Sequence, residues 1–182
     1  EITTGAANNA AHDGGVVIEN SIVEINTINA GASAHPFGTG SLLLGEVSTL
    51  NFSTLLLSSV REGANTIDNG IVVNSPNATI SNQTGAAQTF SGDITLNENL
   101  SVAQNANTFL NGAISGTGDL SVSGGAIFVI SGASANTFTG AVTLGSTTQV
   151  RKDNGLGNAA NAVNSSTSFR LFQETDASTL TL

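Results

Sequence analysis

The chain has 182 residues, 39% of them hydrophobic but only 9% charged and 4% aromatic, with no Cys, Met, Trp or Tyr. A formal charge of −9, from 13 acidic and 4 basic residues, argues against nucleic acid or an anionic membrane surface as partner. The absence of Cys removes disulfides and thiol chemistry, and no run of 18 or more apolar residues supplies a membrane-spanning helix.

Glu1 to Gly15 is small and polar and carries no core signal. Glu1 opens the sequence without an initiator Met or a signal-like segment, which fits a processed exported protein or an excised fragment. Val16-Val17-Ile18 and Ile22-Val23-Glu24-Ile25 read as two strands, and Asn29 to Gly40 as a loop closed by His35-Pro36-Phe37-Gly38. Leu42-Leu43-Leu44, Val47, Leu50, Phe52 and Leu55-Leu56-Leu57 form the most hydrophobic part. Its apolar content would permit a helix, but Gly45 and the Ser and Thr load favour strands.

Arg61 to Asn65 breaks that run, and Ile71-Val72-Val73 with Ala78-Thr79-Ile80 starts a regular pattern, Pro76 marking a corner. One motif is then written three times: Thr89-Phe90 with Ile94, Leu96, Leu100 and Val102; Thr108-Phe109 with Ile114, Gly116, Leu120 and Val122; Thr137-Phe138 with Val142, Leu144, Thr148 and Val150. Ile94 to Ile114, Leu100 to Leu120 and Val102 to Val122 are each 20 residues apart, and so are Ile80 and Leu100. The second copy runs one residue longer, a slip placed at Asn111-Gly112, and eight extra residues precede the third, matching an added strand at Ala126 to Ile130. Ile127 and Val129 would face one way, Phe128 and Ile130 the other, implying burial on both sides or an exposed patch. A polar stretch follows Leu156-Gly157, and Phe169 to Phe172 and Ser178 to Leu182 read as closing strands.

Apolar residues alternating with Thr, Ser or Asp indicate short strands with one buried face. Their return at a fixed period indicates stacked turns, because each turn must present like to like for the ladder and core to continue. The expected fold is all-β: a right-handed parallel β-helix of roughly nine coils, a rod of about 43 Å at about 4.8 Å per coil. The whole chain, 1–182, is one solenoid domain, less regular over 1–70, regular over 71–160, and ending in the C-terminal strands of 161–182. Phe90, Phe109 and Phe138 are expected to be buried along one side, with Ile94, Ile114 and Val142 on successive copies.

Asn136-Thr137-Phe138-Thr139-Gly140-Ala141-Val142-Thr143-Leu144, followed by Leu156-Gly157, resembles the autotransporter-associated β-strand repeat. The likeness covers roughly residues 85–160. It implies an exported bacterial passenger region, a right-handed parallel β-helix displayed at the cell surface.

Polysaccharide lyases and hydrolases on such folds need two or three carboxylates within several ångströms, or an acid-bound calcium beside a basic residue. Asp93 and Asp119 each precede a strand but on different steps of the coil, and Glu98 matches neither, so the acids read as corner residues. His12 and His35 are lone loop histidines, and Asp153-Asn154-Gly155 reads as a turn rather than a calcium loop. Thr179-Leu180-Thr181 is an isolated Thr-x-Thr, short of an ice-binding face, and sequons stand at Asn51, Asn77, Asn82 and Asn164. No catalytic, cofactor-binding or metal residue is assigned. Without an evident polar cap at either end, the expected function is an extracellular structural protein whose copies stack head to tail into a surface fibre or adhesive filament. Its alternatives are an excised passenger region of an autotransporter adhesin, or a polysaccharide-active enzyme; surface polysaccharide or a host surface is a further possible partner.

Overall fold

Short period-two segments, separated by Gly, Asn and Ser, are long enough for one rung of a ladder and too short for hairpins with an independent core. In the computed structural model, which describes residues 13–25, 33–34, 37–45, 52–57, 65–83 and 85–171, every paired strand is parallel to its neighbour. Three sheets result, and no helix occurs among the described residues. Sheet A holds Val16–Ile18, Leu42–Leu44, Ile71–Val73, Ile94–Leu96 and Ile114–Gly116. Sheet B holds Ser21–Ile25, Phe52–Leu57, Asn77–Asn82, Leu100–Gln104, Leu120–Gly124, Val142–Gly145 and Val163–Ser165. Sheet C holds Ser33–Ala34, Asn65–Ile67, Gln88–Phe90, Thr108–Leu110, Phe128–Ile130, Thr148–Val150 and Phe169–Leu171. The chain visits A, B and C in rotation, which makes it a β-solenoid.

Inward residues stack in columns, turn upon turn. Leu42, Ile71, Ile94 and Ile114 line sheet A; Leu55, Ile80, Val102, Val122 and Leu144 line sheet B; Ile67, Phe90, Leu110, Ile130 and Val150 line sheet C. None of these is more than 2% exposed. Each contributes about 1.5–3 kcal/mol of burial, so the core is distributed along the axis rather than concentrated at a centre. Beyond Gly116 the A face continues without regular strands: the N–H groups of Thr137 and Thr139 donate to Ile114 and Gly116, and that of Asn158 to Phe138. Phe138 and Leu156 fill the core there.

The expected stacking of Leu100 on Leu120, Ile94 on Ile114 and Val102 on Val122 is present. Several finer expectations are corrected. Seven strands in sheets B and C make about six turns among the described residues, about 29 Å of rod rather than 43 Å. The first turns are longer than the repeat, with Val16 stacking on Leu42 and Ser21 on Ser53. Ile80 stacks on Val102 and Ala78 on Leu100, so Ile80 and Leu100 are not partners, and the two positions added to that turn lie between Asn82 and Gln88.

The phenylalanines do not share a side. Phe90 stacks on Leu110, the same step that joins Leu100 to Leu120, with no slip at Asn111-Gly112. Phe109 is therefore carried to the outer face and only half-buried. Phe138 is fully buried, but on the A face, and Val142 stacks on Leu120 in sheet B rather than on Ile114. Phe128–Ile130 is an ordinary rung of sheet C. Pairing of Leu120 with Val142 makes that turn only two positions longer than the one before it, so most of the apparent insertion is the rung itself. Val129 faces outward yet is 1% exposed, with Phe128 and Ile130 inward, which is burial on both sides. Strands also form at Ser33–Ala34 and at Val163–Ser165, where the sequence reads as loop and polar stretch. His12, His35, Val47, Leu50, Asn51 and Ser178 to Leu182 lie outside the described residues.

Candidate functional site at the corners and the open end

Corner residues leave the ladder, so their backbone groups need partners from side chains. On the outside, a side-chain oxygen in one turn takes an N–H from the next. Asp93 accepts from Ala113 at 2.8 Å, Asn99 from Asp119 at 3.0 Å, Asn107 from Ile127 at 3.1 Å and Asp119 from Ala141 at 2.8 Å. Asp93 stands at the C-to-A corner and Asp119 at the A-to-B corner, each bonded to the backbone one turn on. No group of three or more His, Cys, Asp or Glu able to hold a metal occurs among the described residues.

Buried polar side chains fill the B-to-C corner. Asn82 donates to the Thr108 hydroxyl at 3.0 Å, and Gln104 donates to the Ala126 carbonyl at 3.0 Å and to the Ser146 hydroxyl at 3.3 Å. Asn82 is 0% exposed, so its sequon is occupied by structure, while Asn77 and Asn164 are exposed. Asp153-Asn154-Gly155 is a turn, as expected, closed by the Gly157 N–H on the Asn154 carbonyl at 2.8 Å, with Asn154 at φ 51°.

Two features escape a reading along the chain. The first is a column of hydroxyls on the outer side of sheet B, Thr54, Thr79, Ser101, Ser121 and Thr143, visible only when residues are aligned across turns. The second is Lys152, which is 6% exposed and whose Nζ donates to the Gly112 carbonyl at 2.8 Å, two turns away. Burial pulls its pKa down to about 8, while the Asp93 carboxylate acts in the opposite sense. The even spacing of Gly92, Gly112, Gly132 and Lys152 does not mark the lysine's role, because Gly132 sits against Asn111 rather than Gly112.

Among the described residues, the inward columns are buried at the first turn, where Ile18 and Ile25 are 0% exposed, and exposed at the last. Val163 stacks on Val142 and Leu171 on Val150; the inner partners are fully buried and the outer pair 43% exposed. The other exposed large apolar residues among those described are Val17 and Ile22, on the outer faces of the first turn. These shapes define a β-solenoid with corner ladders and an exposed apolar face on its last described turn. Comparison with protein-family models, curated proteins and solved structures finds no match to the chain.

Proposed function

We propose that the chain is an extracellular structural subunit, a right-handed β-solenoid rod whose copies join end to end into a surface fibre or adhesive filament. The observation that supports this best is the 43% exposure of Val163 and Leu171 in columns otherwise closed. An exposed apolar column at the last described rung of a parallel ladder favours another strand as its cover. Charge favours a second copy as the source of that strand. Arg151 and Arg170, the basic residues among those described that are not buried, lie in the last described turns beside Asp153, whereas Asp13, Glu19 and Glu24 lie in the first. Opposite charges orient such a contact head to tail, and a head-to-tail contact that does not close gives an open filament.

The right hand follows from the chirality of parallel crossovers. Surface display is supported by the Cys-free, Thr- and Asn-rich composition and by the likeness of residues 136–144 to the autotransporter-associated repeat. In a longer passenger rod, the strand covering Val163 and Leu171 would come from the same chain. A polysaccharide-active enzyme is the weaker reading, because Asp93 and Asp119 are bonded to backbone at separate corners. Catalytic residues and cofactors form no part of the proposal.

Sedimentation velocity and electron microscopy of the 18.2 kDa chain test it. The expected result is concentration-dependent assembly into filaments, abolished in V163D/L171D with the monomer's β-sheet spectrum retained. Monodisperse wild-type monomers at every concentration would reject self-assembly.

A further inference from the structure

The C-to-A corner is stacked backbone on backbone: a Cβ at Gly92 would collide with the Asn69 carbonyl, and one at Gly112 with the Gly92 carbonyl. One turn on, the stacking shifts by one residue. Gly132, at φ 97°, sits against Asn111 instead, and the chain runs outward through Ala133, Ser134 and Ala135 before returning at Asn136. Two buried polar side chains cross this shifted corner. Lys152 reaches the Gly112 carbonyl at 2.8 Å. Asn136, 1% exposed, accepts the Ile114 N–H at 2.8 Å and donates to the Gly155 carbonyl at 2.7 Å. The corner of residues 112–114 is thus tied to that of residues 152–155 by bonds that do not involve residues 133–135.

We infer that Lys152 and Asn136 form a two-point clamp across this corner, which leaves residues 133–135 free to be lengthened without unthreading the rod, Ser131 still being held to Leu110 and Asn111 of the turn before. Buried donors and acceptors are costly to leave unmade, so the clamp holds the two turns in register whatever the loop does. The loop is accordingly the place on this side of the rod where chain can vary to meet a partner, as exposed loops on rigid scaffolds do. This inference is independent of end-to-end assembly.

A ten-residue Gly-Ser segment inserted after Ser134, and separately after Ser91, tests the clamp by thermal unfolding followed by circular dichroism. Loop closure entropy grows slowly with length, so the Ser134 insertion is expected to lower Tm by only about 3 °C. The Ser91 insertion, in stacked backbone, is expected to abolish the cooperative transition. In a K152M background the Ser134 insertion is expected to lower Tm at least twice as far, since insertion and clamp share one corner. Equal losses with and without K152M would overturn the inference. Should K152M not fold, an unfolded Ser134 insertion in the wild type overturns it alone, and the N136S background supplies the same coupling measurement.

Discussion

Lys152 is the only lysine of the chain, and it is held inside the rod. Burial lowers its pKa from 10.5 to about 8, Asp93 partly offsetting the effect. Between those two values the unfolded chain binds the proton that the folded chain has released. Stability therefore rises as pH climbs from about 8 to 10.5 and levels off above, and below pH 8 the buried charge is a standing cost. The gain is on the order of 2 kcal/mol. With no Tyr and no Cys, few other groups titrate in that window. Urea unfolding at pH 7.5 and 10.5 should show wild type gaining this amount relative to K152M; parallel pH profiles for the two would show that the amine is not buried.

At the level of turns and strands, the corners set the tolerance to substitution. Gly112→Ala places a methyl against the Gly92 carbonyl and should cost about 3 kcal/mol, because two stacked backbones must separate. Gly125→Ala meets nothing within 4 Å and should be neutral or slightly stabilising through the unfolded chain. Denaturant midpoints of the two variants compare them directly. The same elements show what can be read from sequence. Ile94, Leu100 and Val102 recur as Ile114, Leu120 and Val122 at one constant spacing, so the stacking of those turns is legible. Phe109 misleads because a Thr-Phe pair recurs with the aromatic on opposite faces: the rung Thr108–Leu110 matches Gln88–Phe90, not the pair itself. The first turns are illegible in number because loops of unlike length separate strands that are nonetheless in register. Lys152 is hidden because its partner lies two turns away, and side-chain donors to distant carbonyls leave no mark on local pattern.

For the whole molecule, a core spread along an axis means that stability is carried by contacts between successive turns. Val163 and Leu171 are the exposed apolar residues of the last described turn, so the proposed assembly would rest on the same physical basis as the solenoid. Both depend on parallel stacking in register, and the Cys-free background allows that to be measured directly. The Ser101 and Ser121 hydroxyls lie 3.5 Å apart on adjacent turns, whereas Thr143 lies one turn beyond Ser121. On mild oxidation of dilute protein, S101C/S121C should form an intrachain disulfide, seen as a mass loss of about 2 Da. S101C/T143C, about 9.6 Å apart along the axis, should stay reduced. An S101C/S121C pair that remains free in folded protein, or an S101C/T143C pair that closes, would contradict the stacked solenoid.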